Sequence, residues 1–180
     1  MRRATTILLL LAMVIWPQAE AARVSEEWPH SLEADTDQTE PLAVVINRMN
    51  SVTNLSFDEL HRIFLGSRVH WSDGRRITLV MRDPGEPERK TILHDVCGMN
   101  ENQFKIHFVQ GLFTGEILVS PKILSTPAGV RKFIFNVPGA IGYLRLSEVD
   151  DSVKVVLIDE LSPDDRRYRL RMPLPSVKSE

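Results

Sequence analysis

The chain has 180 residues, of which 43% are hydrophobic and 26% are charged, and its formal net charge at pH 7 is −2. That length supplies one domain with a substantial core and is too short for two. A mildly acidic chain lacks the basic surface that nucleic acid or anionic lipid requires, so neither is expected as a main partner.

The N-terminus has the pattern of a cleaved secretory signal. Two arginines precede an apolar run from Ile7 to Trp16, and the small residues Ala19 and Ala21 follow. The run is shorter than the roughly 20 residues of a transmembrane helix. Residues 1–21 are therefore predicted to be a signal peptide, with a retained N-terminal anchor as the alternative. The mature protein is predicted to be periplasmic and to have no membrane span.

Residues 22–40 are predicted to be a flexible leader, because they are acidic, polar and without periodicity. Cleavage after Ala21 removes two arginines and one glutamate, a net charge of +1, so the formal charge changes from −2 to −3. The folded domain is predicted over residues 41–160.

The first two predicted elements are a buried strand and a capped helix. The run "LAVVIN", Leu42–Asn47, is continuously apolar, which is typical of a strand covered on both faces. In "LSFDELHRIFLG", Ser56 and Glu59 have the spacing of a capping box, and Gly66 is suited to a left-handed helix end.

A second apolar strand and two helices are predicted next. A turn at Asp73-Gly74 leads into "ITLVM", and "VMRDPGEPERKTI" continues through a proline and a glycine into a helix that Gly98 ends. Asn100 and Gln103 predict another capped helix. Its predicted buried face consists of Phe104, Phe108 and Leu112.

The remaining elements continue this alternation. Thr126-Pro127 marks a helix start, and "AIGYL" and "VKVVLI" are predicted strands, which together indicate an α/β domain with helices on both sheet faces. Residues 161–180 are predicted to be a C-terminal tail in which basic and apolar residues alternate as in a strand. A solvated tail or an edge strand on the domain's own sheet is favoured over a strand that binds a partner.

The order and spacing of these segments resemble one lobe of the phosphate-binding receptors of bacterial ABC importers, which have the type II periplasmic binding protein fold. The resemblance runs from Pro41 to Asp159, through "NLSFDELHRIFLG", the strand–"RDPG"–helix unit and "TPAGVRKFIFNVPGAIGYL". It implies a three-layer αβα lobe with a mixed sheet, and an extracytoplasmic binding module rather than an enzyme. It also implies phosphate or another small oxyanion as the ligand class.

The loop in "RDPGEPER" is the candidate ligand site. In the family, the corresponding loop resembles Arg-x-x-Gly-Ser-Gly-Thr, and its hydroxyls and backbone N–H groups bind the oxyanion. Here Glu86, Pro87 and Glu88 stand at the Ser-Gly-Thr positions, and Pro87 has no N–H to donate. The residues predicted to contact an oxyanion are Arg82, Gly85 and Arg89.

The two glutamates leave three interpretations open. A carboxylate about 4 Å from a bound anion is repelled by roughly 4 kcal/mol at an effective dielectric near 20, whereas a helix N-terminus returns only about 0.3–2 kcal/mol. Glu86 and Glu88 are favoured as ordinary first-turn residues that need no ligand. Alternatively, both turn outward and leave a weak anion site, or both join Asp83 in a cation site.

No cofactor, metal or catalytic group is predicted. His94, Cys97 and His107 are candidate transition-metal ligands, but a core thiol beside ordinary histidines is favoured. Cys97 is the only cysteine, so a buried thiol is predicted, with an intermolecular disulfide as the alternative. The sequence shows no nucleophile with a base, no nucleotide loop and no carboxylate pair, so the chain is not predicted to be an enzyme.

The resemblance covers only one of the two lobes that close on the ligand in a full receptor of this family. Three functions therefore stay open: a binding or sensing accessory in the cell envelope, a weak oxyanion receptor that completes its site by pairing, and an interaction domain without a small ligand. The corresponding partners are an envelope protein, phosphate or another small oxyanion, and a second copy of the chain.

Overall fold

The computed structural model describes residues 39–174, so the predicted signal peptide and most of the predicted leader lie outside the described residues. The strands are β1 (Thr39–Ile46), β2 (Asn54–Leu55), β3 (Thr78–Arg82), β4 (Lys122–Leu124), β5 (Ala140–Arg145), β6 (Lys154–Val155), β7 (Leu157–Ile158) and β8 (Arg171–Pro173). The helices are α1 (Phe57–Phe64), α2 (Pro87–Asp95), α3 (Glu101–Thr114) and α4 (Pro127–Asn136). None of these helices is long and apolar enough to cross a membrane.

A mixed sheet forms the centre of the described domain. Its strand order is β4-β3-β5-β1-β6, and β8 also pairs with β1. β3 runs parallel to β4 and β5, whereas β1 runs antiparallel to β5, β6 and β8. β2 and β7 form a separate parallel pair. The predicted α/β class with a mixed sheet is confirmed.

β1 is buried on both faces, as its continuous apolar sequence predicts. Leu42, Val44 and Ile46 enter one apolar cluster together with residues of α1, α2 and α3. Ala43 and Val45 enter a second cluster together with residues of α4. Helices therefore cover both faces of the sheet, which makes the three αβα layers.

The helix starts follow the capping patterns in the sequence. The Ser56 hydroxyl accepts from the Glu59 amide, and the Glu59 carboxylate accepts from the Ser56 amide, which is the predicted capping box of α1. Asn100 and Gln103 make the same reciprocal bonds at the start of α3. Thr126 caps α4 through its hydroxyl.

The buried face of α3 differs from the prediction at one position. Phe104 and Phe108 are buried, but Leu112 is exposed, and Gly111 is buried instead. In a helix of 3.6 residues per turn, each step of four residues rotates the side-chain direction by about 40°. Two such steps from Phe104 carry Leu112 out of the buried face, and Gly111 lies in that face instead.

The C-terminal segment belongs to the domain, which corrects the boundary placed at residue 160. Tyr168, Leu170 and Met172 are buried in the cluster that contains α1, α2 and α3. β8 pairs with the start of β1, and β1 itself begins at Thr39, inside the predicted leader. Of the arrangements favoured for the tail, the structure has the strand packed on the domain's own sheet.

Candidate functional site

The candidate loop connects the end of β3 to the start of α2. β3 ends at Arg82, and Pro87 occupies the first turn of α2, where its missing N–H costs no helical hydrogen bond. Between them the Glu86 amide donates to the Asp83 carbonyl at 3.3 Å. Gly85 has φ +96°, a backbone conformation that side chains with a Cβ rarely adopt, so glycine is required for this turn.

Arg82 is buried at the end of β3, with 6% of its surface exposed. Its backbone N–H donates to the Tyr143 hydroxyl at 3.1 Å, and its Nη2 lies 3.4 Å from the Glu86 carboxylate. Its Nε and Nη1 atoms are buried and have no hydrogen-bond partner among the described residues. The side chain therefore has a weak internal ion pair and two unused donors.

Arg89 is held by contacts within the domain. Its Nε and Nη2 donate to the two oxygens of Glu101 at 2.8 and 2.7 Å, which is the bidentate geometry that makes a guanidinium–carboxylate pair strong. Its Nη1 donates to the Arg82 carbonyl at 2.8 Å, and its guanidinium lies 5.5 Å from the centre of the Phe104 ring. Arg89 thus fixes the loop to the start of α3.

Glu88 turns into the protein rather than towards solvent, and only 3% of it is exposed. Its Oε1 accepts from Nε of Arg145, at the end of β5. This carboxylate is the main reason that the pKa of Arg145 is raised, and Glu40 lies 3.6 Å from the same guanidinium. The other oxygen of Glu88 is buried without a partner among the described residues.

The site therefore contains its own anions. Every guanidinium at the ends of β3 and β5 and in α2 has an internal carboxylate within ion-pair distance. The cations are Arg82, Arg89 and Arg145, and the carboxylates are Glu40, Glu86, Glu88 and Glu101. A weak anion site with both glutamates turned outward requires an arrangement that the structure does not have.

A groove of about 680 Å³ opens beside this loop, between α2 and α3. Gly85 and Glu101 line the end next to the loop, and Leu93 and Met99 are among the apolar residues of its wall. Arg82 and Glu88 do not line it. The groove has the size of a small-molecule site, but it reaches only the Glu101 carboxylate of the ion-pair network.

The metal alternatives receive no support from the geometry. Across residues 39–174, no three His, Cys, Asp or Glu side chains are arranged to hold a metal ion. His94 contacts Asp95, His107 contacts the Leu65 carbonyl, and Cys97 is a buried free thiol. The buried-thiol interpretation of Cys97 is confirmed, and the histidines have separate local partners.

Three residues of this network were not found from the sequence. These residues are Arg145 and Tyr143 on β5, which are 57 and 61 residues from their partners Glu88 and Arg82, and Glu101 at the start of α3, which is 12 residues from Arg89. "AIGYL" predicted a strand, but nothing in the local pattern indicates that its next residue pairs with Glu88. The sequence offered one weak signal, which is that Arg145, a charged residue, directly follows the apolar strand pattern.

No family model matches the chain. The phosphate-binding protein PstS of Bacillus subtilis (strain 168) is 30% identical over 128 residues, which are 68% of this chain and 37% of that protein.

Solved structures give the same fold. An ABC-type phosphate transport receptor from Vibrio cholerae has a TM-score of 0.62 at 19% identity, covering 79% of this chain and 59% of the receptor. A putative phosphate ABC transporter substrate-binding protein from Clostridium perfringens, solved with bound phosphate, has a TM-score of 0.62 at 22% identity, covering 75% and 54%. PstS from Borrelia burgdorferi has a TM-score of 0.60 at 13% identity, covering 78% and 61%.

The fold and the comparisons define an α/β lobe of the periplasmic binding protein class. Within that class, the chain is related to the phosphate-binding proteins of bacterial ABC transporters and resembles a single lobe of them. It spans 37% of the length of the curated relative and 54–61% of these three solved chains. The resemblance predicted from the sequence is confirmed, and these relatives are binding proteins rather than enzymes.

Proposed function

We propose that the chain is an exported, single-lobe relative of phosphate receptors that acts in the periplasm as a binding or sensing accessory to an envelope protein. It does not capture phosphate tightly by itself. The observation that supports this proposal is the pairing of Arg82, Arg89 and Arg145 with carboxylates of the same domain. A loop whose cations are already neutralised is not prepared for an incoming anion.

The internal pairs make phosphate binding unfavourable in two ways. A phosphate ion that approaches Arg82 meets the Glu86 carboxylate first, and displacing Glu101 from Arg89 breaks a bidentate pair. A single lobe also supplies contacts from one side of the ligand only. We therefore expect a dissociation constant at or above about 1 mM, which corresponds to about 4 kcal/mol of net binding.

A specific observation favours the weak oxyanion receptor as the second candidate. Arg82 has two donors without partners, and the 3.4 Å contact to the half-exposed Glu86 is a long one. If Glu86 swings outward, Arg82 becomes available to a small anion. In that case phosphate should promote pairing of two copies, because a second chain is needed to enclose the ligand.

Calorimetry with inorganic phosphate tests the proposal. The wild type should show weak or undetectable binding, whereas the variant Glu86→Ser, Pro87→Gly, Glu88→Thr restores the family loop and should bind at least about 10-fold more tightly. Arg82→Ala in that background should abolish the gain, because it removes the guanidinium that the restored loop presents to the anion.

A matched control removes the same number of carboxylates at positions outside the loop. Asp151→Ser with Asp164→Ser removes two exposed carboxylates outside the loop and should leave phosphate binding unchanged. Micromolar phosphate binding by the wild-type protein, with no change in its oligomeric state, would contradict the proposal. Sedimentation in the presence and absence of phosphate separates the second candidate, because only that candidate requires phosphate-dependent pairing.

Export is tested by N-terminal sequencing of protein recovered from the periplasm. The proposed signal peptide predicts a mature chain that begins at Ala22. A membrane-bound product that retains Met1 would overturn the proposed localisation.

A further inference from the structure

α3 has an apolar surface on the side that faces away from its own domain. Its buried face carries Phe104 and Phe108. Ile106, Val109 and Phe113 have spacings of three and four residues, so they form one stripe, and each is exposed. Phe113 is 94% exposed, although it is among the largest apolar side chains.

The chain that follows α3 extends this surface. Gly115 has φ +79° and turns the chain back, so that the Ile117 amide donates to the Gly111 carbonyl at 2.9 Å. Ile117 is buried against Gly111, while Leu118 and Val119 remain exposed. The apolar surface of α3 and the segment after it, called the α3 patch below, consists of Ile106, Val109, Leu112, Phe113, Leu118 and Val119.

The α3 patch is large for an apolar surface that is left in water. These side chains expose on the order of 500 Å² of apolar surface, which is at the upper end of the patches seen on soluble monomers. α3 therefore has a second apolar stripe opposite its buried face, and a helix stripe of this kind is normally covered by another element or chain. Two copies of the patch facing each other would bury about 1,000 Å², which meets the lower limit for a biological interface and is typical of a weak, reversible dimer.

We propose that the α3 patch is the interface of a two-fold homodimer in which α3 packs antiparallel against α3 of a second copy. A two-fold interface uses the same surface on both subunits, and a stripe of apolar residues along one helix is complementary to itself. With the axis beside Val109 and Gln110, Ile106 of each copy lies opposite Phe113 of the other.

Charges at the two ends of the α3 patch fit the same arrangement. Lys105 lies near the start of the stripe and Glu116 lies just beyond its end; both are exposed, and neither has an ion pair within the described part of the chain. Antiparallel pairing brings Lys105 of one copy close to Glu116 of the other. A parallel pairing would place like charges together.

Sedimentation equilibrium of the purified protein tests the dimer. We expect a wild-type dimer, and Phe113→Asp should weaken self-association at least about 100-fold, because a desolvated carboxylate would face the apolar stripe of the second copy. The matched control is Phe135→Asp, which places the same change at an exposed phenylalanine of α4 and should leave the dimer intact. Circular dichroism melts check that both variants fold.

Two further variants test the orientation of α3 in the dimer. Lys105→Glu should weaken the dimer, and adding Glu116→Lys should restore it. Gln110→Cys should form a disulfide-linked dimer under mild oxidation, because the proposed axis passes beside it. The control Lys132→Cys, at an exposed position of α4, should not form a disulfide-linked dimer. Cys97 is buried and does not compete for the disulfide.

Several results would overturn this proposal. A wild-type protein that stays monomeric at about 100 µM would show that the surface does not pair. A dimer that survives Phe113→Asp would place the interface elsewhere. Conversion from monomer to dimer on deletion of residues 22–38 would show that the leader covers the α3 patch. The proposal is independent of the phosphate question, because Arg82→Ala should leave the dimer unchanged.

Discussion

Glu88 illustrates how a residue can satisfy a local preference and still have a larger role. As an acid in the first turn of α2 it is favoured by the helix dipole. The structure adds that its side chain is buried and binds Arg145, at the end of β5. The interpretation of Glu88 as an ordinary first-turn residue is therefore incomplete, because its carboxylate also has a partner within the domain.

Replacing Glu88 with glutamine should destabilise the domain by about 1–3 kcal/mol, because Arg145 loses its charged partner in a buried position. Urea denaturation measures the effect. Asp58→Asn is the matched control: it is also a first-turn acid paired with an arginine, but both partners of its 3.1 Å ion pair with Arg62 are exposed, so its loss should cost less than about 1 kcal/mol. Equal costs for the two variants would contradict the inward orientation of Glu88.

Cys97 should be chemically inert in the folded protein. Burial raises the pKa of its thiol to about 12, so the reactive thiolate is scarce at neutral pH, and reagents cannot reach the sulfur. A thiol reagent such as dithiobisnitrobenzoate should label the protein only after unfolding by denaturant. Rapid stoichiometric labelling under native conditions would show that the helix end after α2 opens readily.

At the scale of elements, α1 shows how a capping box responds to pH. The amide of Ser56 is the main cause of a lowered pKa for Glu59, and Arg68 contributes. Because the pKa of Glu59 is lower in the folded state than its ordinary value of 4.5, the charged carboxylate stabilises the fold at pH values above 4.5. This contribution is lost as the pH falls through the lowered pKa.

Glu59→Gln should therefore remove part of the acid sensitivity of the domain. We expect the free energies of unfolding of the wild type and the variant to differ most above pH 4.5, the ordinary pKa of the carboxyl, and to converge as the pH falls through the lowered pKa of Glu59. Thermal melts across this range measure the difference. Asp164→Asn, at an exposed site outside the capping box and the α3 patch, is the control and should follow the wild-type curve. A shift of the Glu59→Gln curve by the same amount at every pH would contradict the linkage.

The elements that the sequence predicted correctly are those whose signals lie close together in the chain. Ser56 and Glu59, and likewise Asn100 and Gln103, are three residues apart, and each pair makes the predicted reciprocal bonds. The continuous apolar run of β1 likewise predicted a strand buried on both faces. Such signals depend on helix and strand geometry alone.

The site was less predictable because its contacts are distant in sequence. Arg89 was predicted to contact an oxyanion, and the structure shows it bound to Glu101. Whether Glu88 turned inward or outward depended on Arg145, and no local pattern connects a loop after β3 with the end of β5. The sequence therefore identified the loop, but it did not predict that the charges of the loop are paired within the domain.

At the scale of the whole molecule, the C-terminal segment closes the core. Tyr168 donates its hydroxyl to the Leu42 carbonyl at 2.9 Å, and Leu170 accepts from the Leu42 amide at 2.8 Å. The alternation of basic and apolar residues predicted a strand here, but the sequence could not show that the strand completes the first one. The first and last parts of the described chain therefore pack together in the same domain.

Truncation after Asp159 should abolish cooperative unfolding. It removes three fully or nearly fully buried side chains, Tyr168, Leu170 and Met172, each of which contributes about 1.5–3 kcal/mol by burial. Denaturant curves followed by fluorescence and circular dichroism test this. A control truncation that removes only residues 175–180 should retain a single sharp transition. Cooperative unfolding of the longer truncation would show that β8 is dispensable.

The position of β1 also has a consequence for how the molecule is made. β1 is the first of the described elements to be synthesised, but it pairs with β5, β6 and β8, and its contact with Tyr168 spans 126 residues. Closing so long a loop is entropically costly and slows folding. During the export proposed above, a growing chain would lack the partners of its central strand. It would reach the translocation machinery still unfolded, and its final strand would complete the structure only after crossing.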